Sequence, residues 1–266
     1  RLDAADNRET GIYVGDATNA TVAGVSAADN GASGILLDAA TGSSVVDVAA
    51  SGNRYAGVAL FESSANFLVN VTAAGNGNVG VGLFEGSSDN VVADLSVTDT
   101  TGADEVSAAP GYSAGVAVEN ASSGNQFADV VAANNTGWAY YAANGSADNA
   151  VSNLTLESDA TVSASGTDVA LAVADDRPEP PSGATAVDPY LAVEGTSDDA
   201  SVALTVSYDP AALGSTDEGT LGLQVHDGSG WTAVEDATVN TAGNYVTGNL
   251  TAFGVVAPVA GADADA

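Results

Sequence analysis

Short apolar runs recur along the first half of the chain at a fixed step, separated by Gly, Asn, Asp and Ser. Four consecutive stretches align with one another: DNRETGIYVGDATNATVAGVSAA, DNGASGILLDAATGSSVVDVAAS, GNRYAGVALFESSANFLVNVTAA and GNGNVGVGLFEGSSDNVVADLSVTD. Asn7, Asn30, Asn53 and Asn76 stand 23 apart, as do Gly11, Gly34, Gly57 and Gly80. The apolar columns Ile12, Ile35, Val58, Val81 and Val14, Leu37, Leu60, Leu83 keep the same step. After an insertion around residues 100–110 the pattern returns at Gly115, Val116 and Val118, then weakens through Trp138, Tyr141, Val151 and Leu154.

Self-similarity at a fixed period of this length marks a solenoid. Within each repeat, apolar residues alternate over three to five positions, many of them β-branched, which predicts short strands rather than helices. A leucine-rich repeat has a similar length, but its Leu-x-x-Leu-x-Leu pattern and consistent Asn are missing. About 23 residues supply two or three strands with their turns, which is one coil of a parallel β-helix. Stacked coils lie about 4.8 Å apart and complete their backbone hydrogen bonds only with their neighbours. The Gly and Asn columns fit the sharp corners of such a coil, because both residues tolerate the left-handed conformation. An Asn at one corner of successive coils can also join its amide to the Asn above and below. Asn7, Asn30, Asn53 and Asn76, with Gly11, Gly34, Gly57 and Gly80, are therefore read as a structural ladder.

The motif Asn-x-x-x-Gly-Ile/Val-x-Leu/Val followed by Asn/Ser-Val/Leu-x-x-Val resembles the right-handed parallel β-helix repeat family. The likeness is to its NosD-like and carbohydrate-binding or sugar-hydrolase repeats, common in archaeal surface proteins. The resemblance implies an all-β fold over residues 1–174. It implies little about function, since the same repeat occurs in lyases, hydrolases, adhesins and inert spacers.

The period changes further on. Residues 175–189 hold four of the seven prolines among charged residues, which predicts an extended, semi-rigid linker. Residues 190–259 alternate with a spacing of about 10–15 residues, predicting a small antiparallel β-sandwich. Val206, Tyr208, Asp209 and Pro210, then Gly230, Trp231 and Thr232, then Phe253 and Val255 are similar to sandwich modules that follow repeats in archaeal exported proteins. Trp231 is expected in that module's core, and residues 260–266 are expected to be a disordered tail.

Charge changes the picture of the surroundings. The 266 residues carry 35 Asp and Glu against four Arg and no Lys, a net −31, while 45% of residues are hydrophobic. Hydrophobicity that high argues against disorder. Four cations make no basic face for nucleic acid or an anionic membrane. No apolar stretch approaches the roughly 20 residues that cross a bilayer, so no direct membrane insertion is expected. With no Cys, thiol, disulfide and Cys-metal chemistry are excluded. Molar salt shortens the Debye length to about 3 Å and screens such self-repulsion, and the Lys-free, Asp-rich composition resembles proteins of haloarchaea. The chain opens on RLDAADNRET, without a signal peptide or initiating Met, and reads as a segment of something longer. Seven Asn-x-Ser/Thr sequons, at Asn19, Asn70, Asn120, Asn134, Asn144, Asn153 and Asn249, exceed the chance number and point to a glycosylated, exported protein.

Candidate chemistry is sparse. A lyase needs Arg or Lys on an exposed sheet, and the coils hold Arg8 and Arg54, read instead as partners of neighbouring carboxylates. Glu62 and Glu85 are 23 apart and stack in adjacent coils at a spacing where a retaining carboxylate pair sits. Asp16 shares their column, so solvated acids at a turn are the simpler reading. The lone His226 falls in the other domain. Phe61 and Phe84 share a column next to these acids, and alternation places Tyr13 and Tyr140 outward. Phe61, Phe84, Glu62 and Glu85 thus form a candidate sugar or partner face. No cofactor is expected. The acidic stretches Asp198-Asp199 and 99–105 offer the oxygen donors that Ca²⁺ or Mg²⁺ take, with no specific site assigned.

The expectation is a non-enzymatic, extracellular or cell-surface protein with a structural or adhesive role. Its partners would be itself, other surface proteins or glycans. An uncapped repeat at residue 1 exposes strand edges, so head-to-tail stacking into a filament is expected. Two alternatives stand: a carbohydrate-binding or carbohydrate-cleaving module, and a viral tail or spike fibre.

Overall fold

Strand register turns the 23-residue period into columns that run along the molecule. The computed structural model describes residues 2–102, 113–157 and 161–261. The coils begin with β1 (Leu2–Asp3), β2 (Ile12–Gly15), β3 (Thr21–Ala28), β4 (Ile35–Asp38), β5 (Ser44–Ser51) and β6 (Ala56–Phe61). They continue with β7 (Phe67–Ala74), β8 (Val79–Phe84), β9 (Val91–Thr98) and β10 (Val116–Glu119), then β11 (Gln126–Ala133), β12 (Tyr140–Ala143) and β13 (Asn149–Thr155). Odd-numbered strands form one parallel sheet, A, and even-numbered strands a second, B. A third corner is closed by single parallel bridges, Thr18 to Thr41 and Thr41 to Ser64.

In sheet A, Val25, Val48, Val71, Leu95, Val130 and Leu154 lie side by side in register. In sheet B, Ile35, Val58, Val81, Val116 and Tyr140 do the same. These columns face one another and are buried almost completely, so each added coil extends the core. Burying a Leu or Val in this way stabilises the fold by about 1.5–3 kcal/mol per side chain. Four corners per coil take left-handed backbone. One runs through Asp16, Ala39, Glu62, Glu85, Asn120 and Asn144, with φ between 47° and 59°. A second, a bulge within sheet A, runs through Asp47, Asn70, Asp94, Asp129 and Asn153. Asn, Asp and Gly dominate these positions because other residues are strained there.

Parallel pairing ends at β13. The chain continues through β14 (Thr161–Thr167), β15 (Val169–Val173), β16 (Thr185–Ala186), β17 (Leu191–Gly195) and β18 (Ser201–Ser207). Two short 3₁₀ turns follow, and then β19 (Gly222–His226), β20 (Trp231–Ala233), β21 (Thr238–Asn240), β22 (Tyr245–Leu250) and β23 (Gly254–Ala260). These strands do not form a separate body. Sheet A runs on as β13-β14-β18-β22-β21 and sheet B as β12-β15-β17-β23-β19-β20, with antiparallel pairing throughout. One core joins Val25 to Ala260. The expected boundary at 174/175 is thus corrected. β14 and β15, read as solenoid, are the first antiparallel strands, and they cover the open edges of β13 and β12.

The expected linker is part of the fold as well. Thr185 and Ala186 pair with β23, and the buried Val187 donates its N–H to the Pro258 carbonyl. Arg177 binds Asp188 at 2.7 Å and lies over the Tyr190 ring. At the C-terminus, Ala260 is a buried strand residue rather than tail; residues 262–266 lie outside the described residues. So does most of the insertion, with residues 103–112 undescribed.

Candidate functional site

The Asn column makes the bonds its spacing allows. Asn7 donates from Nδ2 to Asn30 Oδ1 at 2.9 Å, Asn30 to Asn53 at 2.8 Å, and Asn53 to Asn76 at 3.0 Å. The amide nitrogens of Asn30, Asn53 and Asn76 also reach a carbonyl of the preceding coil, as Asn53 does at Ala27, and their Oδ1 atoms also receive a backbone N–H. The glycines beside them are packed against backbone: a Cβ on Gly34 would meet Asn53 Nδ2 and the Gly57 carbonyl at 2.8 Å.

Two further ladders escaped the sequence reading. Asn66, Asn90, Asn125 and Asn149 link at 3.0 Å each and are fully or almost fully buried. Ser63, Ser87 and Ser122 form the other, each hydroxyl accepting an N–H from the preceding coil. Their steps of 24, 35 and 24 break the constant 23 that revealed the first ladder.

The candidate face separates into two kinds of residue. Phe61 and Phe84 are in register with ring centroids 5.0 Å apart, but Phe84 is only 6% exposed and its ring lies across Gly82. The pair belongs to an apolar cluster on the outer side of sheet B that also holds Ala59, Ala117 and Tyr141. Glu62 and Glu85 are exposed at left-handed corners, and Glu85 accepts from Asn120 Nδ2 at 2.9 Å. Tyr13 is outward, 60% exposed, and donates to Asp38 at 2.7 Å. Tyr140 is not outward. Its register with Val116 turns it into the core, edge-on to Phe127 at 6.0 Å, and Tyr141 takes the outer position. Burial, and after it the carboxylates of Glu119, Glu194 and Asp168, push the Tyr141 phenol upward. Burial alone raises Glu119. Arg8 makes no ion pair with a described carboxylate. Among the described residues, no three His, Cys, Asp or Glu side chains converge as metal ligands.

Six of the seven sequon asparagines, Asn19, Asn70, Asn120, Asn134, Asn144 and Asn153, occupy left-handed corners; Asn249 lies in β22. All but the half-buried Asn120 are exposed. Several carboxamides are already engaged, Asn70 with Asp47, Asn153 with Asp129, and Asn249 with Asp236.

Two concavities lie elsewhere, at the end where parallel pairing gives way to antiparallel. One, about 350 Å³, is bordered by Asn134, Asn135, Thr136, Trp138, Glu157 and Asp175. The next, about 730 Å³, is bordered by Trp138, Asp176, Arg177, Glu194, His226 and Phe253. Trp138 and Ala192 line both. His226 stands opposite Trp231 across β19 and β20, with ring centroids 5.2 Å apart, and Trp231 donates from Nε1 to the Glu179 carbonyl at 2.7 Å. Trp231 is therefore a half-buried clamp on the proline-rich segment rather than core.

This architecture is that of a β-solenoid protein. The chain belongs to the family described as right handed beta helix region, whose profile matches residues 2–156. No curated protein matches it. Among solved structures it is similar to the periplasmic alginate epimerase AlgG, at 16% identity and TM-score 0.46 over 52% of this chain and 34% of that one. It is also similar to pectate lyase Pel9A, at 18% and 0.44 over 55% and 42%, and to the Dettilon tailspike protein, at 9% and 0.27 over 90% and 72%. The chain spans about a third to two fifths of the first two proteins.

Proposed function

We propose that this chain is a structural or adhesive rod of an exported, glycosylated surface or filament protein, adapted to brine. The observation that supports this reading is the set of three ladders. Buried carboxamides and hydroxyls link each coil to the next, so the polar bonding of the coils runs along the axis. The acids support it too, since Asp16, Asp94 and Asp129 stand at corners whose left-handed backbone favours Asp, and Glu62 and Glu85 are exposed at the same corner as Asp16. In this reading the protein turns over no glycan, and it associates with copies of itself or with other surface components.

Negative-stain imaging and sedimentation in molar salt test the association, with elongated assemblies expected and a strictly monomeric species counting against it. A reducing-sugar assay on wild type and Glu62→Gln tests the enzymatic alternative. Turnover that disappears in Glu62→Gln would overturn the structural reading.

A further inference from the structure

The groove that crosses Trp138 has a composition unlike the rest of the surface. It joins one of the two tryptophans, the single histidine and one of four arginines of the chain. The two indoles differ: Trp231 is bonded to Glu179, whereas Trp138 Nε1 has no partner among the described residues. Trp138 is half-buried and faces both concavities, so a ligand lying along the groove would pass over it.

The polar groups around it come in complementary kinds. His226 Nδ1 accepts the Gly228 N–H at 3.2 Å, which leaves Nε2 to donate. Glu194 and Asp176 are exposed acceptors at the rim. Asp227 is already held by Ser229 and Gly230, and Arg177 by Asp188 and Tyr190. With the guanidinium engaged and the acids uncompensated, an anionic ligand is disfavoured. A flat apolar ring, a fixed donor and separated acceptors suit a molecule with an apolar face and many hydroxyls.

We propose that the groove over Trp138 binds an uncharged pyranose oligosaccharide. One ring would stack on the indole, with hydroxyls bonded to His226 Nε2, Glu194 and Asp176. Trp138 packs against the same outer apolar cluster as Phe61 and Phe84, but none of Phe61, Phe84, Glu62 and Glu85 lines the groove. The site goes beyond the rod reading and does not rest on it, because a rod that binds no sugar here remains a rod.

The test uses the full chain produced without glycosylation, so that Asn134 at the groove's border carries nothing. Calorimetric titration in molar KCl compares mannohexaose and cellohexaose with hexagalacturonate and spermine. Binding of a neutral hexasaccharide is expected, weakened at least tenfold in Trp138→Ala and in Glu194→Gln. Phe67→Ser, on the exposed face of sheet A, should leave it unchanged, and circular dichroism checks that each variant is folded. Absence of heat with both neutral sugars would overturn the proposal. So would undiminished binding in folded Trp138→Ala and Glu194→Gln, or tighter binding of spermine or the uronate.

Discussion

Between β1 and β13, the side chains of the ladder asparagines bond to groups 23 to 38 positions away, such as Asn30 to Asn53 and Asn125 to the Ser87 carbonyl. From β14 to β23, turns close on themselves. Asp209 caps Ala211, Asp217 caps Gly219, and Asp227 holds Ser229 and Gly230, all two or three residues away. The two sheets are continuous across this change, so the difference lies in how the corners are satisfied. A parallel coil cannot return to its neighbour through a tight hairpin, and its corner groups must find partners one coil away. An antiparallel strand turns back at once and satisfies its corner locally. The solenoid half therefore depends on its neighbours, and the antiparallel half supplies its last neighbour.

Removing that neighbour is the largest perturbation of the contrast. A chain ending at Glu157 leaves β12 and β13 with unpaired edges and exposes core now covered by β14 and β15. Open edges pair with other chains, so light scattering should show irregular aggregation of the truncation under salt conditions in which the full chain stays in solution. A monomeric, folded truncation would mean that the antiparallel strands are not the solenoid's cap.

The next effect is the loss of one ladder rung. In Asn90→Ala, the Asn66 amide and N–H lose their acceptor, while the Ser63 carbonyl and Asn125 Oδ1 each lose a donor. Leaving buried groups unpaired costs about 1–3 kcal/mol each before relaxation, so a loss of about 3 kcal/mol in urea unfolding is expected. Asn249→Ala, at an exposed pair with Asp236, should change stability by about 0.5 kcal/mol or less. Equal losses would erase the distinction between the halves.

The part of this organisation that was legible in the sequence is the part that repeats with constant step. Asn7 to Asn76 and Val14 to Leu83 lie 23 apart because each coil closes over the same corners. Asn66, Asn90, Asn125 and Asn149 form an equal ladder, yet a one-residue slip and the insertion conceal it. The union of the two sheets was hidden for another reason. Residues 201–207 alternate with a period of two whether their neighbour is parallel or antiparallel, so the pattern cannot name β14 as the partner of β18. The proline-rich segment looked like a linker because its ties, Thr185 and Ala186 to β23, Val187 to Pro258 and Glu179 to Trp231, are all long-range and leave no local pattern. Tyr140 was placed outward by alternation, whereas its register with Val116 fixed the opposite face. The groove was beyond reach, since Trp138 and His226 meet only through the strand order of sheet B.

A smaller effect sharpens the role of the corners. Ala39 and Ala65 hold φ of 51° and 54° at columns otherwise filled mainly by Asn, Asp, Glu and Gly. A left-handed conformation costs a Cβ-bearing residue about 1 kcal/mol, so Ala39→Gly and Ala65→Gly should each stabilise the chain by about 0.5–1 kcal/mol. Ala128→Gly, within β11, should destabilise it by a similar amount. Melting temperatures of the three variants check the sign, and a loss in all three would show that corner strain does not select these residues.

The smallest expected effect separates the halves by pH. In the antiparallel half, Asp227 accepts from the Ser229 hydroxyl and from backbone N–H groups, which hold it down to about 2. Its stabilising contribution is present above the ordinary aspartate range and is lost as pH falls toward 2. In the solenoid half, burial raises Glu119. Its contribution has the opposite sign, fully present below the ordinary glutamate range and lost as pH climbs through the raised value. Thermal melts from pH 2 to pH 8 should show a shallower acid-side decline in Asp227→Asn than in wild type. Glu119→Gln should gain on wild type toward neutral pH and converge with it in acid. If both variants moved the same limb of the profile, the two halves would not differ in how they hold their carboxylates.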